Sequence, residues 1–364
     1  MLLSYSNVRG GLPHFRQAME QGRLTVGYLG GSITEAESLH NWPHFVNAWL
    51  LHERPGLRLQ SENIALGATG SDLGLFRYER DLAPHNCQLI FVEYAVNDDT
   101  TPVEQRNRSR EGLLRRLLRR EDLDVVVVYT FRQEFYQPML EGRTPDSIAE
   151  FERLCAHYNV SSVWMSQYTF DLVRRGLLRW DEWLPDGLHP QYAGSRLYAE
   201  AVCALLASER KGENPQRCLA GGKRPDPIFP HHWENCGLID FDDVRFDGPV
   251  LVERSQRRGA AQQYIKTTAV GAKITIPFTG TGLLMASEFG TDAAEYLCSI
   301  DGGAPTPSRR ERPAWCAKRA WFRTDVLAQD LPYGAHTCTL EVVHGDRDDC
   351  TSTYLEIGLL GVIR

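Results

Sequence analysis

The sequence has no apolar run approaching the ~18 residues a membrane-spanning helix requires, so no membrane partner is expected. It has no excess of positive charge. The formal net charge is −7, which argues against nucleic acid or an acidic membrane surface held by bulk attraction. Its nine cysteines include no C-x-x-C pair. An odd, unpatterned set of this kind reads as free thiols in a reducing cytoplasm, not as a disulfide framework. The opening stretch MLLSYSNVRGG lacks a basic region, a long apolar core and a small-residue cleavage site, so no signal peptide is expected. No repeat of fixed period is present. What remains is a chain of 364 residues, 42% hydrophobic and 24% charged. That composition is ordinary for a globular protein, and the length suggests two domains.

The first two hundred residues alternate between strand-like and helix-like patterns. RLTVGYLG, CQLIFVEYAV and LDVVVVYTF are apolar runs too short for helices, whereas HFVNAWLLHE and PQYAGSRLYAEAVCALLASE have helical spacing, and SSVWMSQYTFDLVRRG reads as a strand followed by a helix. Nearly continuous apolar strands separated by helices imply a parallel sheet covered on both faces. RNRSREGLLRRLLRRED reads as an amphipathic helix with Leu113, Leu114, Leu117 and Leu118 inward and its arginines in solvent. After residue 207 the pattern changes. Residues 208–235 are rich in Gly, Pro and charge and read as a linker. Residues 236–364 carry short alternating segments such as AKITIPF, GLLMASEF and HTCTLEVV, separated by turn signals, which suggests an all-β sandwich.

Four short stretches carry candidate chemistry. In TVGYLGGSITEA, residues 25–36, a buried strand ends in two glycines followed at once by Ser32. Glycine lets backbone approach a ligand closely, and the N–H groups of a following helix point at whatever sits above the turn. A helix cap explains the same serine about as well. In WLPDGLHPQYAG, Asp186 precedes His189 on a loop before a helix. A carboxylate there can hold one imidazole nitrogen and leave the other free to take a proton. In VEYAVNDD a strand-like run ends at Asn97, whose amide can donate to an oxyanion. An Asx turn is the plainer alternative. NIALGATGSDLG is a glycine-rich turn able to offer a backbone N–H. His40 and His44 have the spacing of two helical zinc ligands, but the glutamate of H-E-x-x-H is missing and Pro43 marks a helix start, so no metal is expected. Trp180, Trp183 and Tyr192 flank the Asp186–His189 loop, where they either line a pocket or pack in the core.

Together and in this order, the four stretches resemble the blocks of the SGNH hydrolase superfamily, the GDSL-like esterases. GGSIT is similar to the first block, with Gly31 where the family usually has Asp. NIALGATGSD is similar to the second, AVND to the third with Ala95 in place of the usual Gly, and DGLH to the D-x-x-H of the last. The resemblance covers residues 24–206 and implies a flavodoxin-like three-layer α/β/α domain over residues 1–207. It implies a serine esterase mechanism with Ser32 as nucleophile, His189 as base and Asp186 as its partner. It also implies an oxyanion hole of the Ser32 N–H, the Gly67 N–H and the Asn97 side chain, with no cofactor. Gly67, Ala68 and Gly70 compete for the second donor, and Gly67 is taken here.

The segment after residue 235 resembles the jelly-roll-like β-domains that accompany SGNH carbohydrate esterases. The leading expectation is therefore a carbohydrate O-deacetylase acting on small acetylated sugars in the cytoplasm. A short-chain acyl esterase or lysophospholipase on the same triad is the alternative, and a non-catalytic glycan-binding protein is the alternative of another class. A homo-oligomer is compatible with the sequence.

Overall fold

A computed structural model describes residues 2–35, 41–213, 224–254, 261–316, 320–345 and 347–364. They divide into two compact units, Met1–Glu234 and Asn235–Arg364.

In the first unit, β1 (Ser6–Asn7), β2 (Arg23–Gly30), β3 (Arg58–Asn63), β4 (Leu89–Glu93), β5 (Asp124–Val128) and β6 (Ser161–Val163) form one sheet in the order β1-β6-β5-β4-β2-β3. β2 through β6 run parallel, and the short β1 closes the edge antiparallel to β6. Every residue of β4 and β5 is buried, as is all of β2 after Arg23. A parallel strand buried this completely has helices on both faces. The helices are α1 (Pro13–Gln21), α2 (Ser32–Glu35), α3 (Trp42–Glu53), α4 (Ser71–Asp81), α5 (Val103–Leu117), α6 (Tyr136–Leu140), α7 (Asp146–His157), α8 (Met165–Arg174), α9 (Trp180–Trp183) and α10 (Tyr192–Arg210). The result is the expected flavodoxin-like three-layer α/β/α arrangement. Because β3 lies on one side of β2 and β4 on the other, the winding reverses at the carboxyl end of β2. Open α/β sheets bind their ligands at such a point, and Ser32 follows it directly.

The reading of α5 needs correction. Arg106, Arg108, Arg110 and Arg115 are buried, not solvated. Each meets an acid: Arg110 Nε donates to Asp98 at 2.7 Å, Arg106 Nε to Glu150 at 2.7 Å, Arg115 Nε to Glu234 at 2.7 Å and Arg108 Nη2 to Glu104 at 2.5 Å. The charge pattern on the helix does not reveal these partners, which lie mostly on other elements. A guanidinium with carboxylate and carbonyl acceptors can be buried where a lone charge cannot.

The described residues just before Asn235 belong to this first unit. Trp233 is buried, its N–H donates to the Arg108 carbonyl at 3.2 Å, and Glu234 accepts from both Arg115 and Arg119.

The second unit is all β. One antiparallel sheet runs Trp321–Ala328, Gly282–Phe289, Leu355–Ile363, Gln263–Thr267, Leu251–Arg254, with Cys236–Leu238 also on Leu355–Ile363. The other runs Thr306–Pro307, Glu295–Ile300, Gly334–Val343, Lys273–Gly280, Arg245–Asp247. Residues from both sheets, including Ile274, Ile276, Leu340, Met285, Ile357 and Val362, share one core. The eight described cysteines are free thiols.

Candidate active site

The buried strand β2 stops at Gly30 and the chain turns at Gly31. The carbonyl of Gly31 then accepts from Thr34 N at 3.1 Å and Glu35 N at 2.9 Å, which winds the single turn of α2 and sets Ser32 at its start. A Cβ on Gly31 would overlap the carboxamide of Asn97. In this backbone Asn97 fills the space that a side chain at position 31 would need. Beneath the turn lies Glu93, fully buried at the end of β4. It accepts from Thr130 Oγ1 at 2.7 Å, from Thr34 Oγ1 at 3.1 Å and from the Gly31 N–H. Burial raises its pKa to about 7 against the opposing pull of these donors.

His189 reaches Ser32 from the loop before α10. Its Nε2 lies 2.8 Å from Ser32 Oγ, and its Nδ1 lies 2.7 Å from Asp186 Oδ2. The other oxygen of Asp186 accepts from the backbone N–H groups of Leu188 at 2.9 Å and His189 at 2.7 Å. The carboxylate therefore braces both the ring and the loop that carries it. Gly187 between them has φ +79°, a left-handed turn that favours glycine. Burial pushes the Asp186 carboxyl up, but hydrogen bonds from the His189 backbone and ring and from Leu188 outweigh it and hold the group below its ordinary range. The His189 and Asp186 side chains are 43% and 54% exposed, so the site is an open one.

Asn97 begins a short 3-10 turn four residues beyond the last residue of β4 and lies against Gly31, one residue before Ser32. Its neighbour Asp98 is buried and ties that turn down: Oδ1 accepts from Ser71 N at 2.8 Å and Oδ2 from Arg110 Nε at 2.7 Å. Arg110 in turn donates to the carbonyl and hydroxyl of Ser147, whose hydroxyl donates to the Ala95 carbonyl at 2.6 Å. The glycine-rich turn also arrives beside Ser32. Leu66 N donates to the Gly30 carbonyl at 3.0 Å, and a Cβ built on Gly67 would sit 3.5 Å from Ser32 Cβ. In this structure the Gly67 N–H donates at 2.6 Å to the carboxylate of Glu35. Ala68, a competing position, holds φ +60°, and Gly70 caps α4.

The flanking aromatics divide. Trp183 is wholly buried and packs against Phe131 at 4.8 Å between ring centroids. Tyr192 is exposed and meets Phe45 edge-on. Trp180 lines a cavity of about 470 Å³ together with Gln133, Glu134, Tyr136 and Gln137. Gln133 also packs on the Asp186–His189 loop, where a Cβ on Gly187 would fall 2.9 Å from its Oε1. His44 stands edge-on to Phe45, and His40 lies outside the described residues.

The structure thus brings together the five residues singled out in the sequence: Ser32, Gly67, Asn97, Asp186 and His189. Sequence reasoning missed Glu35, Glu93, Asp98 and Arg110. Asp98 and Glu35 stand inside quoted motifs, adjacent to Asn97 and one helical turn after Ser32, and that adjacency was the available signal. Glu93 also stands inside a quoted motif, but nothing in the sequence marks it as buried beneath the Gly31 turn, and Arg110 carries no signal because its partners come from other elements.

The family model of the GDSL-like Lipase/Acylhydrolase family matches residues 28–197. No curated protein matches the chain. Among solved structures, a two-domain esterase active on acetylated mannans, co-crystallised with mannopentaose, is similar over 99% of this chain and 97% of its own, with TM-score 0.82 and 20% identity. A second crystal structure of a two-domain esterase active on acetylated mannans gives TM-score 0.82 over 97% of this chain and 96% of its own, also at 20% identity. An acetylxylan esterase from Geobacillus stearothermophilus is similar over 50% of this chain and 94% of its own, with TM-score 0.43 and 14% identity.

Proposed function

Residues 28–197 of this chain belong to the GDSL-like lipase/acylhydrolase family, and from that premise we propose that the protein removes O-acetyl groups from carbohydrates through a Ser32 acyl-enzyme. The observation that carries the hydrolytic part is the unbroken relay Ser32 Oγ, His189 Nε2, His189 Nδ1, Asp186 Oδ2, with links of 2.8 and 2.7 Å. His189 takes the Ser32 proton as Oγ attacks the ester carbonyl. Asp186 fixes the tautomer that leaves Nε2 free and stabilises the imidazolium that forms. The oxyanion is held by the Ser32 N–H, the Gly67 N–H and the Asn97 carboxamide, each donor contributing about 10²–10³ in turnover. Collapse expels the sugar alkoxide, which leaves with the proton from His189. Water, deprotonated by the same ring, then releases acetate and restores Ser32.

Three features support a sugar ester over a lipid one. The base and its partner stand half in solvent, which suits a polar substrate better than a long acyl chain needing enclosure. The cavity at Tyr136 and Trp180 adjoins the histidine loop and offers aromatic faces and amide groups of the kind that hold sugar rings. The same two-domain fold is carried by an esterase active on acetylated mannans. The free thiols of the eight described cysteines suit a cytoplasmic setting for this activity. Acetate release from acetylated manno- and xylo-oligosaccharides, set beside hydrolysis of p-nitrophenyl acetate, butyrate and octanoate, tests the proposal. The expected result is a preference for acetyl and a falling rate with acyl length. A rate that climbs toward octanoate contradicts it.

A further inference from the structure

Among the described residues, Glu35 is a charged group in contact with a proposed oxyanion donor. It ends the single helical turn that Ser32 begins, so the two side chains share a face of α2. Its Oε2 accepts from Gly67 N at 2.6 Å. A Cβ on Gly67 would stand 2.8 Å from that oxygen and 3.5 Å from Ser32 Cβ, so the carboxylate and the nucleophile stem both lie against Gly67. Glu35 itself is exposed.

One N–H cannot serve a carboxylate and a developing oxyanion at once, because two like charges would then sit within contact distance in a partly dry site. A substrate carbonyl that takes the Gly67 N–H therefore displaces Glu35. The side chain is short and remains tethered one turn from Ser32, so its charge stays close to whatever acyl group Ser32 accepts. A neutral acyl group meets no charge–charge penalty there, whereas an acyl group bearing its own carboxylate is repelled.

We infer that Glu35 is a specificity-determining residue: a charge filter that rests on the Gly67 N–H, yields to neutral acyl groups such as acetyl, and rejects acyl groups ending in a carboxylate, such as hemisuccinyl. The inference rests on the proposal that Ser32 attacks and that the Gly67 N–H receives the oxyanion. It adds the class of acyl group the site excludes.

The test compares kcat/KM for p-nitrophenyl acetate and for the anionic mono-p-nitrophenyl succinate. The proteins are the full-length wild type, Glu35→Gln, Glu35→Ala and Ser32→Ala, each checked by circular dichroism. In both Glu35 variants the acetate-to-succinate ratio falls about tenfold, as expected for removing one like charge at contact range near the surface. The salt dependence of that ratio shrinks with it, and the rate on acetate itself rises. A purely structural role moves both substrates equally and leaves the ratio fixed. A fixed ratio in a folded variant overturns the inference and leaves the esterase proposal standing, and so does a loss of activity on both substrates. Equal acetate rates for wild type and Ser32→Ala overturn the esterase proposal, and the inference falls with it.

Discussion

Ser32, Asn97, Asp186 and His189 were legible because each is a chemically distinctive side chain placed where a patterned segment ends, and ligand chemistry gathers at such ends in parallel sheets. Gly67 was legible only as one of three candidates, since a backbone donor needs no particular side chain. Glu93 was not legible. A glutamate ending an apolar strand reads as a boundary residue, and only the fold shows Thr34, Thr130 and Gly31 converging on it. Its raised pKa of about 7 makes a signed prediction. Between the ordinary carboxylate value and about 7, the folded protein holds a proton that the unfolded chain has released. Stability contributed by Glu93 is therefore full in acid and is lost as pH rises through that window, by up to about 3 kcal/mol. Asp124, raised to about 7 by burial, adds a change of the same sign. Urea unfolding at intervals from pH 4 to pH 8 isolates the Glu93 part. The expected outcome is that wild type loses more stability across the window than Glu93→Gln, and identical slopes argue against the burial cause.

At the scale of elements, the turn after β4 and helix α5 form one electrostatic unit. The pattern of α5 showed its leucines but misread its arginines, because amphipathic spacing marks which residues are polar and not whether an acid waits across the packing interface. The Arg110 and Asp98 side chains are 0% and 2% exposed, and through Ser71, Ser147 and Ala95 they join α4, α7 and the end of β4 around Asn97. Replacing Arg110 with Met leaves Asp98 buried without its partner, which costs about 3–5 kcal/mol. It also frees the turn that carries Asn97. Adding Asp98→Asn removes the uncompensated charge and restores part of the loss. Thermal or urea unfolding of the single and double variants checks this. A single variant as stable as wild type shows that the pair contributes nothing.

At the scale of the molecule, the change from helix-bearing to short alternating segments was visible in the sequence and corresponds to a real change of architecture. The finer boundary was not visible, because Gly, Pro and charge read as linker whether or not the segment packs. Trp233 and Glu234 pack on the first unit, with Glu234 holding Arg115 and Arg119. A chain ending at Glu234 is expected to unfold cooperatively and keep hydrolysis of p-nitrophenyl acetate. One ending at residue 213, just past α10, strips the buried Arg115 of the Glu234 carboxylate and loses about 3–5 kcal/mol, read as a lower urea midpoint. The central claim is that Ser32 is the nucleophile of a hydrolase, and its most direct measurement is the rate of p-nitrophenyl acetate hydrolysis by wild type and by Ser32→Ala under identical conditions. The account predicts a loss of about a thousandfold or more in the variant. Equal rates for the two proteins would contradict it.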